Sequence, residues 1–272
     1  MNGRDYHFLD RNDFQARIEA GEFLEHAEVH GNHYGTLKSE VLDFVSEGCD
    51  VVMDIDVQGA DAAEFLNKIY ANAFAKLPVG KVRYGLMLRE DGHVMDDGTT
   101  ARLGETHFVM TTTTAAAGLV MRHLEFVRQV VRPDLDVQVG SVTEQWAQFA
   151  VAGPLARQLL AGITSADISS EGWPFMACGA VDVLGVQGRL FRISFSGELA
   201  YEIHVPNASL YAAYQALRAA GEAHGMKLFG ALAVESMRLE KGYLHWKADI
   251  LTEFDPFETD LERFVKIDKP EF

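Results

Sequence analysis

Apolar and polar positions along the chain divide it into short elements of changing period. Asp10-Arg-Asn-Asp-Phe14 predicts a helix start, with Phe14, Ile18 and Phe23 to one side and Gly21 ending the helix. Phe23 to Val29 reads as a strand, and Gly31-Asn-His-Tyr-Gly35 as a turn. Lys38 to Ser46 reads as a helix closed by Gly48, and Cys49 to Val57 as a buried strand around Val51-Val-Met-Asp-Ile55. Asp61 is placed to cap a helix from Ala62 to Tyr70, followed by a turn at Pro78-Val-Gly80. Two apolar runs, Tyr84 to Leu88 and the stretch after Thr99, flank Glu90-Asp-Gly92 as a hairpin would. Thr106 to Thr112 follows as a β-branched strand.

Met121, Leu124 and Val127 share one face of a helix predicted from about Ala116 to Val131, which stops before Pro133. Strands are predicted at Asp136 to Val142 and Trp146 to Ala152, then a helix over Leu155 to Ala161 with Pro154 at its first position. Further strands cover Gly179 to Leu184 and Gly188 to Phe195. Asn207 is expected to cap a helix from Ala208 to Ala223 that ends at Gly225. A last helix runs from Ala231 to Lys241, ending at Gly242. This alternation predicts an α+β fold with antiparallel sheets.

A length of 272 residues allows one large domain or two. The formal charge of −16 argues against nucleic acid or an anionic membrane as partner. No apolar run reaches the length of a membrane span, and Met1-Asn-Gly-Arg-Asp5 lacks the features of a signal peptide. Cys49 and Cys178 lie far apart and form no disulfide framework, so a reducing, cytoplasmic location is expected. His26, His30 and His33 span a strand and a turn rather than one face, so they read as surface residues and no metal is expected.

Asp96 and Asp97 are the first candidates for chemistry. A buried carboxylate accepts a proton from an amine because desolvation raises its pKa. Neighbours on a strand point opposite ways, so one could enter a pocket while the other meets solvent. Equally, Asp96-Asp97-Gly98 reads as a second turn.

A longer pattern bears on that choice. Tyr84-Gly-Leu-Met-Leu-Arg-Glu-Asp-Gly-His-Val-Met-Asp-Asp-Gly-Thr-Thr-Ala-Arg-Leu103 resembles the folate-binding aminomethyltransferase family, which includes the glycine-cleavage T-protein. Met121-Arg-His-Leu-Glu-Phe126, Ser141-Val-Thr-Glu-Gln-Trp-Ala147 and Arg192-Ile-Ser-Phe-Ser-Gly-Glu-Leu-Ala-Tyr-Glu-Ile203 extend the likeness, especially to sarcosine oxidase alpha subunits. The tail, with Arg238-Leu-Glu-Lys-Gly-Tyr-Leu-His-Trp246, resembles the dimethylglycine and sarcosine dehydrogenase branch. The resemblance implies tetrahydrofolate as cofactor, an amine-derived one-carbon unit as substrate, and other sarcosine oxidase subunits as partners. It implies Asp97 as the reacting carboxylate, with Asp96 as second choice, and Glu202, Tyr84 and Arg238 lining the folate pocket. Glu198, beside Gly197, reads as structural, and Arg238 reads equally as a helical partner of Glu235.

Residues 1–59 resemble a different family. Asp5-Tyr-His-Phe8, Phe23-Leu-Glu-His-Ala-Glu-Val29, Gly31-Asn-His-Tyr-Gly-Thr36 and Asp54-Ile-Asp-Val-Gln-Gly-Ala60 are similar to the GMP-binding region of guanylate kinase. The resemblance implies Glu25 and Asp56 on the guanine edge and Tyr6, Tyr34 and Thr36 on the phosphate. No G-x-x-x-x-G-K-[ST] loop accompanies them, so kinase activity is not expected. The whole is expected to be an N-terminal α/β guanylate-kinase fragment, 1–59, before an incomplete T-protein-like folate-binding domain, 60–272. Ile55-Asp-Val-Gln-Gly-Ala60 fits both families, which points to a chimera joined there, with a non-functional fragment as one outcome.

Overall fold

The computed structural model describes residues 9–29, 32–37, 53–183, 185–251 and 253–269. Helix α1 (Arg11–Glu19) starts where Asp10 accepts hydrogen bonds from the Asn12 and Asp13 N–H groups at 2.8 and 2.9 Å. Phe14 on this helix stacks against Phe23, at the start of the next strand, with ring centroids 4.4 Å apart. That strand, β1 (Phe23–Val29), pairs antiparallel with β2 (Asn32–Leu37). Residues 32–35, expected as part of a turn, are therefore strand. The helix expected at Lys38 to Ser46, and Cys49, lie outside the described residues.

Two larger sheets make up the rest, each antiparallel at every pairing. The first has the order β4-β5-β6-β3-β7, from β3 (Met53–Gln58), β4 (Lys81–Leu88), β5 (Val94–Gly104), β6 (His107–Thr112) and β7 (Gln138–Ser141). Strand β3 is an inner strand here, paired with both β6 and β7. Helix α2 (Ala62–Ile69) turns Phe65, Leu66 and Ile69 into this unit's core. Asp61 does not cap that helix with its side chain; its carboxylate instead accepts the Asp136 N–H at 2.8 Å. Helix α3 (Ala117–Phe126) buries Val120 and Leu124 in the same core and runs on as a π-helical turn, Val127–Val131, before Pro133.

The second sheet has the order β8-β11-β10-β9, from β8 (Trp146–Ala152), β9 (Cys178–Val183), β10 (Val186–Phe191) and β11 (Ala200–Pro206). Helices α4 (Ala156–Ala161) and α5 (Leu210–Glu222) cover it with Leu159, Leu160, Ala213 and Leu217. Pro154 precedes α4 by two residues rather than opening it, and Leu155 is the capping position. Asn207 opens a 3-10 turn, Asn207–Ser209, and its amide donates to the Glu144 carbonyl at 3.3 Å instead of capping α5. Strand β10 ends at Phe191, so Phe195 lies in the loop beyond it. Helix α6 (Ala231–Lys241) ends as expected, with Gly242 in the left-handed region at φ 76°.

The sheets meet edge to edge. Val82 N–H donates to the Met176 carbonyl at 2.8 Å and Cys178 N–H to the Gly80 carbonyl at 2.9 Å. Val82, Ala101, Cys178, Phe191 and Ile193 fill the seam with apolar surface. Cys178 is a small buried hydrophobe there, its thiol pushed up to about 12 by burial. Beyond α6 the chain folds back over the first sheet, burying Trp246, Ile250 and Leu261, and the Lys269 amine donates to the Asn67 and Tyr70 carbonyls at 2.6 and 2.5 Å.

Candidate active site

Asp96 and Asp97 lie inside β5, which starts at Val94, so the reading of Asp96-Asp97-Gly98 as a turn is overturned. The turn of this hairpin is at Arg89 to His93, where Gly92 takes φ 85°. The register pairs Met87 with Asp96, Leu86 with Asp97, Gly85 with Gly98 and Tyr84 with Thr99. Gly98 is required by close approach: a Cβ there would lie 2.1 Å from the Thr111 carbonyl oxygen. That contact draws β6 against β5 and brings Thr113 over the carboxylates.

Thr113 touches both. Its N–H donates to Asp96 Oδ2 at 3.3 Å and its hydroxyl to Asp97 Oδ1 at 3.5 Å. Tyr84 Oη donates to the other Asp97 oxygen at 2.7 Å, and its ring meets the Phe264 ring edge-on at 4.9 Å. Asp96 is fully buried, and its Oδ1 accepts no hydrogen bond among the described residues. Burial pushes Asp96 up to about 8, and the Asp97 charge adds to the effect. Burial also holds Asp97 above the ordinary carboxylate range, opposed by the Tyr84 hydrogen bond and by His245. Tyr84 is pushed up in turn by burial and by Asp97. Asp96 therefore keeps its proton at neutral pH, while Asp97, half-buried, is held by Tyr84 and Thr113.

A cavity of about 300 Å³ opens beside them, lined by Thr113, Ala115 and the run His245 to Ala248. Sequence reasoning missed His245, Trp246 and Lys247, because nothing in the motif around Asp97 points to a turn some 150 residues later in the chain. The ring of Phe195 meets that of His245 edge-on, centroids 6.1 Å apart, which sets the start of the loop beyond β10 against the 245–248 turn.

Other expected site residues fall elsewhere. Arg238 is buried and fully engaged: it holds Glu235 with two N–H groups, Asp249 with another, and the Tyr243 carbonyl at 2.9 Å. These partners match the reading of Arg238 as a helical partner of Glu235. Glu202 does not line the cavity. It sits on β11 with its carboxylate 3.8 Å from His204 Nε2, and His204 Nδ1 is 3.6 Å from the buried Asp54. Gln148 donates to Asp54 at 2.5 Å, and burial pushes Asp54 up to about 6, with His204 pulling it back. Asp56 lies 3.3 Å from His107 Nε2 and accepts from the Gln58 amide at 3.1 Å.

The hairpin sets Glu25 opposite Thr36 and Tyr34 opposite Ala27, with their side chains outside the description; Tyr6 and His30 lie outside the described residues. Among the described residues no cluster of His, Cys, Asp and Glu could hold a metal ion, and no helix is long and apolar enough to cross a membrane.

The architecture and this paired-carboxylate cavity define an aminomethyltransferase-type domain. The GCVT N-terminal domain family model matches residues 49–269, and the chain belongs to that family. Over 228 residues it is 51% identical to the sarcosine oxidase subunit alpha of Rhizobium meliloti (strain 1021), covering 82% of this chain and 23% of that one. It is 30% identical over 216 residues to human mitochondrial dimethylglycine dehydrogenase, covering 79% of this chain and 24% of that one. The chain thus spans about a quarter of the length of these relatives. In fold it matches the glycine cleavage system aminomethyltransferase T from Bartonella henselae, with a TM-score of 0.70, 23% identity, and coverage of 94% of this chain and 69% of that one. The guanylate kinase family model matches residues 1–74, overlapping the first match across β3 and α2.

Proposed function

We propose that this chain is a tetrahydrofolate-binding domain of a sarcosine oxidase or dimethylglycine dehydrogenase-type system, passing an amine-derived one-carbon unit to tetrahydrofolate. The observation that carries the reading is the Asp97 carboxylate, oriented by Tyr84 and Thr113 beside the cavity. At about 300 Å³ the cavity suits a bicyclic pterin head, the lower end of the range for small-molecule sites. Trp246 lines the cavity, and its buried Nε1–H has no partner among the described residues. Tetrahydrofolate, when bound, supplies the nucleophilic nitrogens that take up the one-carbon unit.

The chain's own residues then have distinct tasks. Asp97 holds the cationic amine-derived group by charge, takes the proton that the attacking nitrogen loses as its C–N bond forms, and returns it to the amine that leaves as the original C–N bond breaks. Tyr84 fixes one Asp97 oxygen, leaving the other for the substrate. Asp96, protonated, adds no second negative charge. For the amino and N–H edge of the pterin, we assign Glu198, exposed on the loop that Phe195 begins, in place of Glu202. Other subunits of such a system are the expected partners.

Calorimetric titration with tetrahydrofolate tests the reading. Saturable binding is expected, weakened about 10–100-fold in Glu198→Gln, since a lost charge-assisted hydrogen bond is worth roughly 1.5–3 kcal/mol. Glu202→Gln is expected to change affinity less than about threefold. No saturable binding by the unaltered chain removes the folate reading. GMP serves as the parallel ligand, because the match over residues 1–74 supports a second reading of that segment as the GMP-binding remnant of a chimera joined near residue 59.

A further inference from the structure

Alternation along β3 and β11 turns two polar faces toward each other. On β3, Ile55 and Val57 enter the first core, so Asp54 and Asp56 point to the opposite side. On β11, Ile203 and Val205 enter the second core, so Glu202 and His204 point away from it. The register sets His204 between Arg189 on β10 and Gln148 on β8, in one row across the second sheet. Phe191 belongs to the apolar seam between the sheets, and its ring lies 4.4 Å from that of His204. Past that ring the contact between the sheets is polar. Gln148 donates to Asp54 Oδ2 at 2.5 Å, and His204 Nδ1 lies 3.6 Å from the same oxygen. Asp54 N–H donates to the Thr143 hydroxyl at 3.1 Å, which ties the layer to the turn before β8. Glu202 Oε2 stands 3.8 Å from the other nitrogen of His204, and Asp56 Oδ1 is 3.3 Å from His107 Nε2 on β6. The Arg189 guanidinium lies over the Trp146 ring, 3.8 Å from its centroid.

This layer carries more acid than base. Asp54, Asp56 and Glu202 bring three carboxylates, whereas Arg189 brings one permanent cation, beside the imidazoles of His107 and His204. With both imidazoles neutral, three charges against one leave an excess of two negative charges. Asp54 and His204 are fully buried. Asp54 Oδ1, Asp56 Oδ1, His107 Nε2, Arg189 Nη1 and both His204 nitrogens are buried atoms that make no hydrogen bond among the described residues. Buried charge without a full set of partners is costly, and proton uptake relieves it. Burial holds Asp54 above the ordinary carboxylate range, with His204 opposing the shift and Glu202 adding to it.

We propose that this layer is a proton-loaded latch between the two sheets. With protons bound to its acids and imidazoles it holds β3 against β8 and β11, and their release as pH rises lets the sheets part there. A protonated His204 ring directs one N–H toward Asp54 and the other toward Glu202, which a neutral ring with a single N–H cannot do. Glu202 is the partly exposed member, through which protons exchange with water. Because Asp54 is raised in the closed layer, closure binds a proton that opening releases, and closure weakens as pH rises. Such a latch operates whether or not folate binds. Its opening would reach the strand of the paired carboxylates, since Thr111, opposite Asp54 on β6, accepts the Thr99 N–H of β5 at 3.0 Å.

Hydrogen exchange of the full chain tests the latch, with amide protection compared at pH 5 and 7.5 after correction for intrinsic exchange. Protection in β3 and β8 is expected to be about tenfold lower at pH 7.5, one linked proton being worth up to about tenfold per pH unit. Helix α5, on the far side of the second sheet, should change by less than about twofold. Asp54→Asn keeps an acceptor for Gln148 and should flatten the pH dependence to within about twofold. Glu202→Gln, at the partly exposed edge, carries less risk to folding and should at least halve the dependence, so a poorly folded Asp54→Asn does not end the test. A merely structural role lowers protection equally at both pH values in these variants. That result overturns the latch. So does protection in the unaltered chain that is constant or rises with pH, or a pH dependence that both variants leave unchanged.

Discussion

Asp97→Asn is expected to lower the rate of one-carbon transfer to tetrahydrofolate by about 10²–10⁴-fold, the span of general acid–base catalysis, while folate affinity stays within a few-fold. The substitution keeps shape and one acceptor: an asparagine carbonyl can still take the Tyr84 hydroxyl that Asp97 takes at 2.7 Å. What disappears is the negative charge that steadies a cationic amine and the base that accepts its proton. Asp96 cannot replace it, being fully buried and pushed up to about 8 by that burial. Tyr84→Phe should cost less, roughly tenfold, because it loosens the orientation of Asp97 without removing the charge. Single-turnover rates across pH 5.5–9 check both. A loss below threefold in Asp97→Asn, with an unchanged pH profile, would take the carboxylate out of the chemistry.

The parts of this fold legible in the sequence were those governed by neighbours in the chain. Asp10 caps α1 and Gly242 ends α6 because capping depends on a few adjacent residues. The strands at residues 23–29 and 146–152 carry their own apolar pattern and fall where that pattern puts them. Misreadings occurred where a distant group competed for the same side chain. Asp61 looks like a cap, yet Asp136, 75 residues on, supplies a better donor. Asn207 likewise turns to Glu144. Asp-Asp-Gly reads locally as a turn, and only the approach of Thr111 explains why Gly98 stands inside a strand.

The site divides along the same line. Asp97 and Tyr84 belong to one hairpin, so a contiguous motif contains both. The opposite wall comes from the turn at residues 245–248, held by Arg238, and no spacing rule connects that turn to β5. Arg238 carries a legible charge, but its destination is set by Asp249, eleven residues on, together with Glu235. Glu202 and Glu198 show the reverse problem. Both carboxylates occur in one motif, and only the end of β10 at Phe191 and the swing of Phe195 towards His245 separate their surroundings.

The same carboxylates that equip the site should weaken the fold as pH rises. Asp96 stands at about 8 when folded, against 3.8 for an ordinary aspartate, so between those values the folded chain holds a proton that the unfolded chain has released. Stability therefore falls as pH rises through this window, by up to about 1.4 kcal/mol per pH unit from this group, and its contribution is greatest below pH 4. Asp97, also raised, and Asp54, raised to about 6, act in the same direction. Asp96→Asn removes one of these raised carboxylates. Urea melts at pH 5.5 and 8.5 should show the unaltered chain losing about 2–4 kcal/mol more than the variant between the two conditions. The variant is then the more stable protein at alkaline pH relative to its own acid value, and any catalytic loss it shows is separable from unfolding. Parallel pH dependence in the two proteins would mean that Asp96 is not the proton-holding member of the pair, and that Thr113 and the core around it tolerate a buried anion.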